Sequence, residues 1–381
     1  MTPKSKRTGL VAVLAVALIV IASLGVVVAG CGSSELPSAG GSATTAAGTA
    51  TTAAGTATSA GQTAASLNGA GATFPKPLYV EWIGEFQAAN PGIKINYQGI
   101  GSGGGIEQFT KMTVDFGASD APMTDEQIAA AETASGGKVL HIPTVFGSVV
   151  LAYNLPDVKE LKIDSDTLAG IFLGEITKWN DPKIAALNSG VTLPDKAIQV
   201  VHRSDSSGTT NIFTGYLTSV NQGWADKVGK GKEVQWPAGV GGQGNDGVAA
   251  VVQQQQGSIG YVELSYAIES KLTMASLKNQ AGNFIVPSLE STSAAANGAQ
   301  FPEDLRFSVA NSPNADAYPI VGATWILAYS KMADPAKAAA LKAWLTWSLN
   351  DGTAIAQDLG YAPLPAGLKA LALAKVDALG N

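Results

Sequence analysis

Apolar and polar residues follow one order three times along this chain: an apolar strand, a turn of small residues, and a helix with one apolar face. The first copy begins with Leu67 to Pro75, the second covers residues 93–112, and the third covers residues 198–220. Alternation or short apolar runs predict the strands, and apolar spacings of three and four predict the helices. Each turn therefore lies at a helix start, where free backbone N–H groups can bind an anion.

The rest of the pattern continues the alternation of strands and helices. Strands are predicted over residues 114–119, 145–152, 259–262 and 318–329. Helices are predicted from Thr124 (with Gln127 in capping-box position), over 164–185, through Val248 to Val252, from Asp334-Pro335 and from about Ala366. Polar residues 276–317 are predicted to form surface loops with a short helix. This order indicates a parallel or mixed sheet covered on both faces, and we expect the three turns to converge on one cleft.

The N-terminal residues have the pattern of an export signal. Lys4, Lys6 and Arg7 begin residues 1–30, an uncharged apolar run follows, and small residues precede Cys31, the single cysteine of 381 residues. This order resembles a bacterial lipoprotein signal, in which the cysteine is lipidated and becomes the mature N-terminus. An uncleaved transmembrane anchor is the alternative, since the run is long enough to span a bilayer. Both interpretations put the rest of the chain outside the cytoplasmic membrane.

Residues 31–65 contain the lipidated cysteine and a linker made almost entirely of Ser, Thr, Ala and Gly, in which Thr44 to Ala50 recurs as Thr51 to Ala57. Such a segment has too little apolar bulk for a core. We predict a flexible tether with a reach of roughly 30 Å. About 315 residues remain, which is enough for two α/β domains with their own cores.

Net charge makes nucleic acid and anionic lipid poor partners. The chain carries −6 at pH 7, and loss of residues 1–30 removes three cations and no anions, which moves the charge to −9. No basic run follows residue 31. An acidic protein can still bind an anion where local donors, rather than net charge, do the binding.

The third turn, residues 202–210, contains the most informative chemistry. Ser207 stands in the N-cap position of the following helix, and the neighbouring hydroxyl groups and Arg203 add donors that suit a tetrahedral oxyanion. From this stretch alone, an ordinary capped helix with a surface arginine is the alternative.

An oxidoreductase has weak support. Gly99, Gly101 and Gly104 match the dinucleotide-binding pattern G-x-G-x-x-G between a strand and a helix, and Asp120 lies near the expected acidic position. The export signal argues against this interpretation, because nicotinamide cofactors are not normally supplied outside the membrane.

A hydrolase built on Ser207 also has weak support. The flanking residues lack the first glycine of a G-x-S-x-G turn, and His141 and His202, the two histidines, are each predicted to be structural. With one cysteine and two histidines, the chain has no cluster typical of a metal site. We therefore predict no catalysis and no cofactor.

Four parts of the sequence resemble the substrate-binding proteins of bacterial ABC phosphate importers. They are Gly69-Ala70-Gly71-Ala72-Thr73-Phe74-Pro75, Tyr97 to Ser102 with Val114 to Pro122, Arg203 to Thr209, and Gly241 to Gly247 with Gly260-Tyr261-Val262-Glu263. The resemblance runs from about Leu67 to the C-terminus. It departs from the family pattern at Gly103, where a second serine is frequent, and at His202, where arginine is common.

The resemblance implies an α/β fold of the periplasmic-binding-protein type II, with two α/β lobes, a central ligand cleft and two crossover strands. Lobe I would comprise residues 66–153 plus 318–381, and lobe II would comprise residues 154–317. The chain would cross between lobes near Asn154 and return near Tyr318.

The resemblance also implies which residues hold phosphate. From lobe I, Thr73 and Phe74 would donate backbone N–H groups, with the Thr73 hydroxyl beside them, and Ser102 would add a hydroxyl. Asp120 would accept a proton from the ligand.

From lobe II, the implied phosphate ligands are Arg203, Ser207, Gly208 and Thr209. Asp205 would not contact phosphate but would hold Arg203 in place.

Asp120 also has a physical meaning independent of the family. Monohydrogen phosphate can donate one hydrogen bond to a carboxylate, whereas sulfate carries no proton and would face the carboxylate with like charge. A site built around a substrate donor rejects an analogue that lacks it by on the order of 10⁴ to 10⁵. The alternative is an ordinary surface carboxylate at a strand end.

We therefore expect high-affinity binding of inorganic phosphate outside the cytoplasmic membrane. The ion would be delivered to the permease and ATPase subunits of an ABC phosphate importer, and the protein would stay on the cell membrane through lipidated Cys31. The alternatives are a secreted phosphate-ester hydrolase, and a sensor or adhesion lipoprotein on the same fold.

Overall fold

The computed structural model describes residues 64–380, so the predicted signal, Cys31 and the linker up to residue 63 lie outside the described residues. The strands in this range are β1 Ala65–Gly71, β2 Ile93–Gly99, β3 Phe116–Ser119, β4 Val139–Tyr153, β5 Lys162–Ile163, β6 Gln199–Arg203, β7 Val240–Gly242, β8 Ser258–Glu263, β9 Thr273–Met274, β10 Ser276–Lys278, β11 Phe284–Ile285, β12 Val321–Tyr329 and β13 Ala362–Pro363. The helices are α1 Lys76–Ala89, α2 Ser102–Thr110, α3 Asp125–Ser135, α4 Ser165–Phe172, α5 Pro182–Leu187, α6 Gly208–Val220, α7 Gln222–Lys227, α8 Gly244–Gln254, α9 Leu264–Glu269, α10 Leu289–Ala295, α11 Pro335–Asn350, α12 Thr353–Asp358 and α13 Ala366–Asp377.

Ten strands form one mixed sheet in the order β2-β1-β3-β12-β4-β8-β6-β7, with β13 and β9 also paired to β4. β1 is parallel to β2 and β3, and β6 is parallel to β7 and β8. β12 is antiparallel to both β3 and β4. Parallel pairs need long crossover connections, which the intervening helices supply. The predicted mixed α/β sheet is therefore confirmed.

The strand β4 is 15 residues long and pairs with two different partners along its length. The part up to Ser148 pairs with β12, and the part from Val149 pairs with β8. The pairing with β12 shifts register beside Pro143: Val145 lies opposite Thr324 and Pro143 opposite Trp325, so Thr144 is the extra residue of a β-bulge. A proline is tolerated there because a bulge does not need its missing N–H. The sequence pattern predicted only the apolar part of this strand, residues 145–152.

Helix starts follow the predicted capping chemistry. Thr124 and Gln127 form the predicted capping box at the start of α3. At α6, the Ser207 side chain accepts from the backbone N–H of Thr210, so its predicted N-cap position is confirmed. A cap of this kind stabilises a helix by about 1 kcal/mol.

The predicted helix over residues 164–185 is wrong as a single element. The structure has α4, a loop, and then α5, because Gly174 adopts a left-handed φ of 72° and the Asp181 side chain caps a new helix that starts with proline. Ile176 and Trp179 lie in this loop and are nevertheless buried. Residues 276–317 contain the predicted short helix, α10, together with two short strands that the pattern did not predict.

The core contains a group of packed aromatic side chains where the central strands meet the helices. Trp344 of α11 packs against Tyr79 and Phe116 with ring centroids 6.0 and 5.2 Å apart. Removing such a buried aromatic side chain typically costs 3–5 kcal/mol. Among the helices in residues 64–380, none is both long and apolar enough to cross a bilayer.

Candidate functional site

The carboxyl ends of β1, β2 and β6 supply the three turns that the sequence analysis selected, and Asp120 follows the end of β3. β1 ends at Gly71 beside Gly99 of β2 and Ala118 of β3, so the chain leaves these three strands at the same end of the sheet. The turn after β6 meets them there: the N–H of Gly103 donates to the carbonyl of Ser206 at 2.9 Å. The expected convergence of the turns is confirmed.

Two glycines allow this close approach. Gly101 has φ of 85°, and a Cβ there would lie 2.5 Å from Oδ2 of Asp205. A Cβ at Gly103 would overlap the Ser206 side chain. Ser206 therefore occupies the space that a serine side chain at position 103, which is frequent in the family, would need.

Ser102 connects the starts of two helices. Its hydroxyl oxygen accepts from the N–H of Gly208, the first residue of α6, and from the N–H of Asp120, both at 3.1 Å. Its proton points to Oδ2 of Asp120 at 3.3 Å. Ser102 is itself the first residue of α2. One buried hydroxyl therefore lies between the N-termini of two helices and a carboxylate.

Asp120 is buried, with only 3% of its surface exposed. Oδ1 accepts from the Thr324 hydroxyl at 2.8 Å, while Oδ2 faces Ser102. Burial raises the pKa of Asp120 to about 7, and the Thr324 hydrogen bond and the Arg203 charge oppose that rise. Its partner Thr324 on β12 was not predicted.

Arg203 is buried and held by Asp205. Nε and Nη2 of Arg203 donate to the two carboxylate oxygens of Asp205 at 2.7 and 2.5 Å. Nη1 is directed to Oγ1 of Thr209 at 3.3 Å. Burial raises the pKa of Asp205, but the bonds from Arg203 outweigh it, so the pKa lies below its usual value. The predicted contact between Asp205 and Arg203 is present in the structure.

Thr73 lies buried opposite the start of α8. Its hydroxyl oxygen accepts from the N–H and the side-chain amide of Asn245, at 3.2 and 3.0 Å. The same amide reaches Oγ1 of Thr209 at 3.2 Å. Asn245 was not among the predicted residues, although it lies inside the quoted segment Gly241 to Gly247.

Phe74 is fixed through its carbonyl, which accepts from the hydroxyl of Tyr361 at 2.7 Å. That hydroxyl also contacts Ser265, whose own hydroxyl and N–H donate to Oε2 of Glu263. Glu263 ends β8 and is fully buried. Burial raises its pKa to about 8 despite the bonds from Ser265. This group behind Phe74 was not predicted.

The two histidines make other contacts. Nε2 of His141 accepts from the N–H of Met123 at 3.1 Å, and the His202 ring stacks on Trp236 at 4.8 Å. Neither contact involves Ser207. Among residues 64–380, no group of three or more His, Cys, Asp or Glu side chains is placed to hold a metal ion.

The predicted residues are packed together rather than spread around an open hollow. Two cavities of about 760 and 670 Å³ lie elsewhere: the first is lined by residues 155–160 with Gly190 and Lys196, and the second by Lys76, Val80 and Tyr266. Neither is lined by a predicted site residue. Asp120 borders a smaller cavity of about 130 Å³. The site is therefore enclosed, which strengthens the charge interactions within it.

A family model for the PBP superfamily domain matches residues 50–351. The phosphate-binding protein PstS of Pasteurella multocida is 45% identical over 303 residues, covering 78% of this chain and 86% of that relative. The chain belongs to the PstS family of phosphate-binding proteins. PstS of Methanocaldococcus jannaschii is 42% identical over 304 residues, covering 74% of this chain and 78% of the relative.

Solved structures agree with this family at the level of the fold. A high-affinity periplasmic phosphate-binding protein, PfluDING, superposes with a TM-score of 0.68 at 22% identity, over 81% of this chain and 93% of that one. A phosphate-bound ABC transporter substrate-binding protein from Clostridium perfringens gives 0.58 at 17% identity, over 79% and 100%. The fold is the type II periplasmic-binding-protein fold, as expected.

Proposed function

We propose that this protein binds inorganic phosphate outside the cytoplasmic membrane and delivers it to an ABC phosphate importer, without performing chemistry. The observation that carries the proposal is the buried carboxylate of Asp120 at the meeting point of two helix N-termini and Arg203. A binding protein uses such a site to hold an anion that carries its own proton. The family relatives are named as phosphate-binding proteins.

We propose that phosphate is held by the residues that the resemblance implied: Thr73, Phe74, Ser102, Asp120, Arg203, Ser207, Gly208 and Thr209. Their burial and mutual hydrogen bonds support this assignment. Helix N-termini and an arginine fork favour a tetrahedral oxyanion, and Asp205 keeps that fork in one orientation.

Asp120 provides the selectivity in this proposal. Its ionised form accepts a hydrogen bond from monohydrogen phosphate and repels sulfate. The pKa of Asp120 lies near 7. The protonated carboxyl group, which could donate a hydrogen bond to sulfate, therefore becomes common only below neutral pH. Discrimination against sulfate should therefore increase as the pH rises through about 7.

We propose that the site forms between two lobes, lobe I from residues 66–153 plus 318–381 and lobe II from residues 154–317. The change of partner along β4 supports one crossing, and the approach to β12 supports the other. Hydrogen bonds then join the lobes at Ser102 with Gly208 and at Thr73 with Asn245.

We propose that residues 1–30 are a lipoprotein signal, that Cys31 is lipidated, and that the linker before β1 tethers the domain to the cell membrane. The basic start, the apolar run and the single cysteine support this assignment. The tethered protein would pass phosphate to the permease and ATPase subunits of the importer. Metabolic labelling with a palmitate analogue, abolished in Cys31→Ala, would test the anchor.

Calorimetry with phosphate and sulfate tests the binding site directly. At pH 8 we expect tight phosphate binding and discrimination against sulfate of on the order of 10⁴. Comparable affinity for the two anions would rule out the role of Asp120. Turnover of phosphate esters that is lost in Ser207→Ala would instead favour a hydrolase, for which the hydrogen bonds of Ser207 offer no base.

Transport is tested by phosphate uptake at low phosphate in cells that carry Arg203→Ala. Uptake should fall to the level of a deletion strain, whereas Arg306→Ala, which removes an arginine paired with Asp125 and Asp304, should leave uptake intact. Uptake that is unchanged on deletion of the protein would favour a sensor or adhesion role.

A further inference from the structure

The side chain of Asn245 is fully buried and its amide has one orientation. Oδ1 accepts from the backbone N–H of Glu263 at 3.0 Å. An amide turned over would place an NH₂ group against that N–H, so the acceptor and donor ends are distinguished by the network itself. The NH₂ end therefore faces Thr73 and Thr209.

The Thr73 hydroxyl has both of its acceptor positions filled by Asn245. Its oxygen accepts from the backbone N–H at 3.2 Å and from Nδ2 at 3.0 Å. A threonine hydroxyl has two acceptor lone pairs and one proton. With both lone pairs in use, the Thr73 hydroxyl can interact with a further group only by donating.

The Thr209 hydroxyl also has both of its acceptor positions filled. Its oxygen accepts from Nη1 of Arg203 at 3.3 Å and from Nδ2 of Asn245 at 3.2 Å. The two hydrogens of one amide thus serve two hydroxyls, one from each proposed lobe. Both hydroxyls are left as donors.

We propose that Asn245 is a positioning residue that turns the hydroxyl protons of Thr73 and Thr209 toward the bound anion. This inference rests on the proposed function, and it assigns Asn245 a part in affinity without any contact to phosphate. It complements Asp120: two hydroxyls can only donate, so the phosphate oxygens beside them must be unprotonated. The single proton of the ligand is then directed to the carboxylate.

The test measures phosphate affinity by calorimetry for Asn245→Ala and Asn245→Leu, the latter filling similar space without a donor. Each should weaken binding about 10- to 100-fold, because the Thr73 and Thr209 hydroxyls are then no longer held as donors to the charged ligand. Asn279→Ala is the matched control, because Asn279 is also buried and donates from Nδ2 to three carbonyls away from the site. Its affinity should equal that of the wild type. Thermal unfolding without phosphate reports the structural cost of each variant.

A double variant that lacks both threonine hydroxyls distinguishes a positioning role of Asn245 from a general disruption of the site. In protein that carries Thr73→Val and Thr209→Val, Asn245→Ala should change affinity by less than about threefold, because its targets are gone. The same loss in both backgrounds, or no loss in the wild-type background, would overturn the inference. Wild-type protein that is folded yet does not bind phosphate would refute the proposed function together with it.

Discussion

Thr324 donates its hydroxyl proton to Oδ1 of Asp120 at 2.8 Å, although 204 residues separate the two in the chain. The pairing of β12 with β4 is irregular directly after Thr324. This bond occupies the carboxylate oxygen that does not face Ser102. It is also the strongest of the contacts that oppose the effect of burial on the pKa of Asp120.

Thr324→Val should weaken phosphate binding at neutral pH about tenfold. The change removes a hydrogen bond to a charged group, so the pKa of Asp120 rises further above its ordinary value and less of the ionised form is present. Raising the pH restores the ionised form. When affinity is measured from pH 6 to 9, the pH at which it reaches half of its maximum should be about one unit higher than in the wild type.

Thr292→Val is the control for this change. Thr292 is a buried threonine that bonds to Ser148 and to the carbonyl of Ser288, away from Asp120. Its pH profile for binding should overlay that of the wild type. A Thr324→Val profile that also overlays the wild type would contradict a role for Thr324 in the ionisation of Asp120.

Gly208→Ala should reduce phosphate affinity by at least tenfold. A Cβ at this position would lie 2.6 Å from Cβ and Oδ2 of Asp120, so α6 and Asp120 must separate. Overpacking of this kind costs about 1–3 kcal/mol. Gly84→Ala on α1 meets no atom within 4 Å and should leave affinity unchanged while slightly stabilising the helix. Equal affinities for the two variants in titrations would show that the helix starts need not approach so closely.

Asp205→Ala should destabilise the protein without phosphate by about 3 kcal/mol, because it leaves Arg203 buried without its counter-charge. Saturating phosphate should recover part of this loss, since the anion then neutralises the guanidinium. Chemical denaturation with and without phosphate measures both effects. Asp195→Ala, which breaks an exposed pair with Lys178, should cost less than about 1 kcal/mol in either condition. Equal losses for the two variants would contradict this account.

Glu263→Gln should flatten the pH dependence of stability. Between the usual pKa near 4.5 and the folded value of about 8, the folded protein keeps a proton that the unfolded chain has released. The free energy of unfolding therefore falls as pH rises through this window, by up to about 1.4 kcal/mol per pH unit. Glutamine resembles the protonated acid and has no such loss. Denaturation curves from pH 5 to 8 should diverge; parallel curves would mean that Glu263 is ionised throughout.

Local chemistry explains why much of the fold could be predicted from the sequence. The caps at Thr124 and Ser207 and the apolar stripe of α11 involve neighbouring residues, so their spacing alone indicates them. The interpretation of residues 164–185 was wrong because a buried loop carries apolar residues at the same spacings as a helix. Periodicity does not distinguish the two.

By itself, the sequence determined the three helix starts, the strand-end position of Asp120, the arginine within the third turn, and, through four motifs, the family. These are properties of short segments. Only the tertiary structure decided that Asn245 bridges Thr73 and Thr209, and that Thr324 holds Asp120. Such bonds join side chains from distant elements, and their strength depends on burial and on angles that the packed sheet creates.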